Sequence, residues 1–252
     1  MNHNSSGAPF WSQWQLAPEI LLVSFAITYF YLRNSKRAST RERTLFAAGL
    51  FSLFAVVNSP IGALATTYFW CHMLQHMTLM MITGPLLVLA TVQVFRPHNQ
   101  IWKMVTHPWI SWFIYAALMI GVHFTALHQL LMDHKWLHNF VEVPAYLIVA
   151  YLFYYNILDR DGANRVIPPG LAIFSLFFMM VPETLTGFFI YAAPTSLYGD
   201  MFTVNDQRLG GSFMWAGSMI IDVIWISLAV SDWLKSEERK SKAIDEEIRR
   251  ER

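Results

Sequence analysis

Residues Tyr68–Thr91 read YFWCHMLQHMTLMMITGPLLVLAT, and this stretch decides the fold class. It is apolar over enough residues to cross a bilayer, which takes about 20 residues at about 1.5 Å of helical rise each. Yet it carries two histidines, His72 and His76. At ~100° per residue, a spacing of four sets both rings on one helix face, about 40° apart. Hydrocarbon offers no water to solvate an imidazole. A buried histidine pair therefore needs partners, and a metal ion is one kind. Cys71 adjoins the pair, and Met73, Met77, Met80 and Met81 follow. Imidazole, thiolate and thioether are ligands that suit copper, above all in its reduced, soft form.

The rest of the chain agrees with a membrane setting. Of 252 residues, 55% are hydrophobic and only 14% are charged, and mean hydropathy is +0.36. Soluble domains carry about 25% charge, so this chain cannot cover an ordinary aqueous surface. A net charge of +1 gives no basic signal for nucleic acid. One cysteine excludes an intramolecular disulfide and leaves the redox compartment unreported. The N-terminus has no basic run before its first apolar segment, so no cleaved signal peptide is expected.

Seven apolar segments can be marked, at Leu16–Leu32, Thr44–Leu64, Tyr68–Gln93, Trp109–Leu130, His138–Leu158, Ile167–Tyr191 and Ser212–Leu234. The expectation is an all-α, polytopic bundle of seven transmembrane helices forming one domain over residues 1–234. A charged tail follows over residues 235–252. Asn58-Ser59-Pro60 interrupts the second segment, which is tolerable if a neighbouring helix satisfies the carbonyl that the proline frees. Sixteen of the eighteen Lys and Arg fall after odd-numbered segments, including Arg37, Arg160 and Arg165; only Lys135 and Arg208 fall on the other side. The positive-inside rule then puts the N-terminus outside and the C-terminus in the cytoplasm.

That topology sorts the histidines. His72, His76, His123, His128, His134, His138 and His3 face the outer side, and only His98 and His107 face the cytoplasm. The His134…His138 spacing repeats that of His72…His76. Glu19, Glu142, Glu183 and Asp206 also lie toward the outer half, and Asp222 falls near the middle of the last segment. Acids at that depth cost about 2.5–3.5 kcal/mol or more, so they face the bundle interior or water. The candidate metal ligands are His72, His76, His123, His134 and His138. Cys71, Met73, Met77, Met80, Glu142, Glu183, Asp206, Gln207 and Met214 are candidate soft ligands or supporting groups.

Blander readings compete with each. A lone histidine in a membrane helix is more often an interhelical hydrogen-bond donor. Methionine fills irregular gaps in any core. Cys71 points ~100° away from His72 and reads as a small packing residue. His128 and His107 read as interfacial or loop residues, as does His98, and His3 as part of a loose tail.

Beyond these readings, the order of motifs resembles a known family. Asn58-Ser59-Pro60 is followed by His72-Met73-Leu74-Gln75-His76 and by Gly84-Pro85-Leu86-Leu87-Val88-Leu89. His107-Pro108, His123 and the His134…His138 pair come next, then Asp206-Gln207-Arg208-Leu209-Gly210-Gly211-Ser212-Phe213-Met214-Trp215. Over roughly residues 55–225 the chain resembles the CtaG family of seven-helix membrane proteins, required for assembly of caa-type cytochrome c oxidase. Val122 precedes His123 where that family usually has tryptophan. The resemblance implies a protein of the bacterial cell membrane that handles copper at its outer side. Its client would be the catalytic subunit of cytochrome c oxidase, with the haem–copper centre as destination, and an extracytoplasmic copper chaperone a possible donor.

On this expectation His72, His76 and His123 form the core ligand set and His134 with His138 an outer, access site. Asp206 and Gln207 lie over the site, and Met73, Met77, Met80 and Met214 offer soft ligands for transfer. Copper, as Cu(I) or Cu(II), passes by ligand exchange, so the protein is not an enzyme. Two other classes stay open. One is an intramembrane metalloenzyme, a zinc hydrolase or di-iron oxygenase with Glu142 or Glu183 as ligand or base. The other is a haem carrier with two axial histidines.

Overall fold

The computed structural model describes residues 9–36, 38–97, 99–159 and 167–251. His3, Arg37, His98, Arg160 and Arg165 lie outside the described residues. Among the described residues every regular element is helical. The helices are α1 (Pro18–Asn34), α2 (Thr40–Asn58), α3 (Pro60–Ala63), α4 (Phe69–Thr91), α5 (Gln100–Val105), α6 (Pro108–His123), α7 (Ala126–Asp133), α8 (Lys135–Ile157), α9 (Pro169–Ala192) and α10 (Val204–Arg250).

Four of these, α4, α8, α9 and α10, are long and apolar enough to cross a membrane. A fifth arises if the bent pair α6 and α7 is one span. α1 has 17 residues, and α2 opens on Arg41, Glu42 and Arg43 behind a Ser39–Glu42 capping box. Large apolar side chains nonetheless face outward on both, among them Leu22, Phe25, Leu32 and Phe51. An apolar exterior of this extent is stable only against lipid or another protein.

Two expected segments break where the sequence carries turn chemistry. The fourth, expected to run from Trp109 to Leu130, bends by 73° between α6 and α7. Thr125 causes this locally: its hydroxyl accepts from Leu127 N and starts a new helix. The second breaks at Ser59-Pro60. The seventh begins earlier than expected, and its helix continues into the charged tail as far as Arg250, with most of the tail's described side chains exposed.

Proline governs the interior, and partner helices complete what it breaks. A helical proline leaves the carbonyl four residues earlier without its donor. Pro85 frees Met81 O, and Trp225 Nε1 of α10 donates to it at 2.8 Å. Pro182 frees Phe178 O, and Trp112 Nε1 of α6 donates at 3.2 Å. Ile190 O, one of the last four carbonyls of α9, takes the Gln207 side-chain amide at 3.0 Å. Gln75 Nε2 approaches Val56 O, in the last turn of α2, at 3.5 Å. Each pairing locks the rotation of one helix against another.

Three π-helical turns, Leu79–Thr83, His138–Glu142 and Phe213–Gly217, interrupt α4, α8 and α10. The first two end two residues before Pro85 and Pro144, whose rings need the wider turn. Such turns are common at functional sites, and all three here border one region. α4 packs between α2, α8 and α10, so its buried face is the centre of the bundle.

Candidate metal centre

α4 carries no side-chain cap of its own. Asp206 of α10 supplies it: Phe69 N donates to Oδ2 at 2.7 Å and Trp70 N to Oδ1 at 3.1 Å. A carboxylate there satisfies orphan amides and suits the positive end of the helix dipole. It fixes the first turn of α4, and so the depth of His72 and His76.

Both histidines are buried, with ring centroids 4.0 Å apart. His123, the last residue of α6, joins them from across the bundle, 5.6 Å from His76 by ring centroid. Ligand atoms of His72, His76 and His123 lie within 4.8 Å of one another. His123 is pre-set for coordination. Its Nδ1 donates to Met119 O at 2.6 Å, and a carbonyl can only accept, so Nε2 presents a lone pair. That Nε2 and both ring nitrogens of His72 and His76 have no hydrogen-bond partner.

Glu142 completes the cluster from the π-turn of α8. His138 holds its Oε2 through Nδ1 at 2.6 Å, and His138 Nε2 meets Gln75 Oε1 at 2.8 Å. Its other oxygen, Oε1, stands 3.5 Å from His72 Nε2 and 3.2 Å from His76 Nε2. Neither approach is aligned as a hydrogen bond, and Oε1 has no other partner. A second group, His72, His138 and Glu142, also converges within 4.8 Å. A buried carboxylate facing several imidazoles is electrostatically matched to a cation among them.

The structure sorts the expected ligands. His72, His76, His123 and His138 converge; His134 does not. His134 caps the break between α7 and α8, is exposed, and approaches only Leu130 O at 3.3 Å. The two spacings of four differ because His72 and His76 share one continuous helix, whereas α8 starts after His134. Within the pair His138 turns inward and spends both ring nitrogens on Glu142 and Gln75. Cys71 is buried but belongs to neither converging group. Asp206 and Gln207 cap and brace α4 and α9. Gln207 Oε1 also accepts from Leu197 N at 2.7 Å.

Sequence reasoning missed His128. The bend at Phe124-Thr125 swings it inward, where it is buried, 5.1 Å from His72 by ring centroid, with neither ring nitrogen hydrogen-bonded. The signal was Thr125, a helix-starting residue in the middle of an apolar run. Gln75 was missed too, although it sits three residues from His72 on the same face. Tyr146, one turn beyond Glu142, lies 3.9 Å from the His76 ring by centroid.

A cleft of about 860 Å³ reaches the cluster from one end of the bundle. His123 forms part of its wall, as do Gln129, Asp133 and Asp200. At the far end of α4 the bundle is knit differently. Gln93 and Arg96 both donate to Asp159 Oδ1 at 3.0 Å.

Among curated proteins, the chain is 24% identical to uncharacterized proteins of Mycobacterium bovis and Mycobacterium tuberculosis, over 87% of its own length and 38% of theirs. It is 24% identical to an uncharacterized protein of Mycobacterium leprae over 76% of its length and 34% of that protein's. The chain thus spans little more than a third of the relatives it matches. No solved structure matches it. With the family described as cytochrome c oxidase caa3 assembly factor (Caa3_CtaG) matching residues 23–236, the chain belongs to that family.

Proposed function

We propose that this chain is a multi-pass protein of the bacterial cell membrane that binds copper in the His72–His76–His123 cluster and passes it to cytochrome c oxidase. The observation that carries the reading is the set of buried, unpartnered imidazole nitrogens facing the free oxygen of Glu142. Burying that many polar atoms without partners costs several kcal/mol in aggregate, and a bound cation would recover it. Three imidazoles leave a coordination position open, which suits an ion that must leave again. Copper is the substrate here. It arrives as Cu(I) or Cu(II) and leaves by ligand exchange, and no covalent bond of a substrate breaks, so the role is not enzymatic.

The family name points to the oxidase as partner. On this reading its catalytic subunit, with the haem–copper centre, is the acceptor. An extracytoplasmic copper chaperone docked at the His123 cleft is the donor. α1 and α2 stand in the membrane with the other helices, giving seven spans. The distribution of Lys and Arg puts the N-terminus and the cleft outside and the charged tail in the cytoplasm.

The test is metal content and X-ray absorption of the detergent-purified chain after anaerobic loading with Cu(I). Copper with nitrogen scattering, lost in His72→Ala/His76→Ala, is the expected result. Nitrogen-ligated copper retained by that variant would overturn the assignment. A second reading has one specific observation in its favour. His72, His138 and Glu142 converge as a two-histidine, one-carboxylate set of the kind that holds catalytic zinc, once His138 exchanges its contact with Gln75 for the metal. Zinc in the chain as isolated would favour that reading, and a Soret band would favour a haem carrier.

A further inference from the structure

Beside the histidine cluster is a small void of about 10 Å³, the space of one water molecule or one ion. Six methionines line it: Met73, Met77, Met80, Met81, Met119 and Met214. They come from α4, α6 and α10, and all are buried. Gly217 makes room for one of them, since a Cβ there would stand 3.1 Å from Met77 Cε.

A void formed by loose apolar packing would have apolar walls throughout. This one does not. Glu183 reaches it from α9, is 2% exposed, and uses Oε1 to accept from the Tyr115 hydroxyl. Its Oε2 makes no aligned hydrogen bond and faces the Asp222 carboxyl of α10, and Ser218 Oγ, also on the wall, has no partner. A carboxyl group at this depth is costly unless something there interacts with it. His76 lines the same void, so one residue borders both the imidazole cluster and the methionine chamber.

We propose that this chamber is a second, separate cation site, selective for a soft monovalent ion of the Cu(I) class and held by thioethers with Glu183. Thioether sulfur binds Cu(I) and Ag(I) and is a poor ligand for zinc, magnesium or calcium. The carboxylate balances the charge in a low-dielectric setting. His76 then links two sites of different softness. An ion leaving the imidazoles exchanges one Cu–N bond at a time for Cu–S bonds, with no electron transferred. The identity of the cation rests on the copper reading; the chamber itself does not.

The test uses the full chain in detergent and titrates Ag(I) and Cu(I) under anaerobic conditions, with X-ray absorption to count sulfur and nitrogen scatterers. The parent is expected to hold about two ions, one with sulfur scattering. Met73→Leu/Met80→Leu/Met119→Leu keeps volume and apolarity, so folding is retained, and is expected to hold about one, without sulfur. His72→Ala/His123→Ala leaves the chamber intact and is expected to lose the nitrogen-ligated ion alone. Glu183→Gln, nearly isosteric, is expected to weaken the sulfur-ligated ion by about tenfold. Sulfur scattering absent from the parent, or both ions retained by the leucine variant, would overturn the proposal. Silver bound with sulfur scattering in a chain that never takes copper at its histidines would sink the copper-cluster reading and leave the chamber standing.

Discussion

The free oxygen of Glu142 stands 3.2 Å from Nε2 of His76, at the meeting point of α4 and α8. Its other oxygen is fixed by His138, which is itself fixed by Gln75. The chain Gln75–His138–Glu142 therefore aims one carboxylate oxygen at the imidazole cluster, and each member is a positioning or charge-balancing group.

Glu142→Gln follows from this. The amide keeps the shape, removes the negative charge and replaces one acceptor with a donor. Copper affinity at the cluster should fall by about 10–100-fold, the usual cost of losing a group that orients or balances metal ligands. Competition titration against a Cu(I) chelator measures it. Affinity within about twofold of the parent would show that the carboxylate does not face the ion.

His128 and His134 separate the structure from spacing alone. Spacing favours His134; geometry favours His128, buried 5.1 Å from His72 by ring centroid. His134→Ala should leave copper affinity within about twofold, and His128→Ala should lower it about tenfold. The reverse order in the same titration would return the site to the break between α7 and α8.

The proline pairings give a stability prediction free of any metal. Trp225→Phe removes the donor to Met81 O while keeping an aromatic ring. It should cost about 0.5–2 kcal/mol, the range for a buried hydrogen bond in a membrane protein. Pro85→Ala restores a backbone donor to that carbonyl, so in the Pro85→Ala background the same change should cost less. A double-mutant cycle from unfolding in mixed micelles checks this. Additive effects would show that Trp225 does not serve the freed carbonyl.

These pairings mark the limit of what the sequence discloses. The membrane-length helices α4, α8, α9 and α10 were legible because a long apolar run in lipid must satisfy its own backbone, whereas the breaks within the second and fourth segments divide runs that read as continuous. His72 and His76 were legible because four residues on one continuous helix fix a face. His134 and His138 carry the same spacing, but a helix break falls between them. The His128 position depends on the bend at Thr125 and on the rotation of α6 and α7, which nothing local to that histidine specifies. The roles of Asp206 and Gln207 are equally remote. Each serves backbone groups more than ten residues away or on another helix, Phe69 N in one case and Ile190 O in the other.

The contact between α9 and α10 sets where Met214 lies, and glycine makes that contact possible. A Cβ at Gly187 would stand 2.6 Å from Trp215 N, and one at Gly211 would stand 2.7 Å from Tyr191 N. These are backbone atoms, so no side chain can rotate away. Gly187→Ala should push α10 off α9 and destabilise the fold by about 1–3 kcal/mol, the usual cost of overpacking. Because Trp215 follows Met214 in the same π-turn, the shift should also carry Met214 out of the methionine chamber. Gly121→Ala is the control. It lies in the last turn of α6 with nothing within 4 Å of an added Cβ, so it should be neutral or stabilise by up to about 1 kcal/mol. Thermal unfolding and silver titration of the two variants side by side decide the matter. If Gly187→Ala melts with the parent and keeps its sulfur-ligated ion, the close approach of α9 and α10 is not what holds that wall of the chamber.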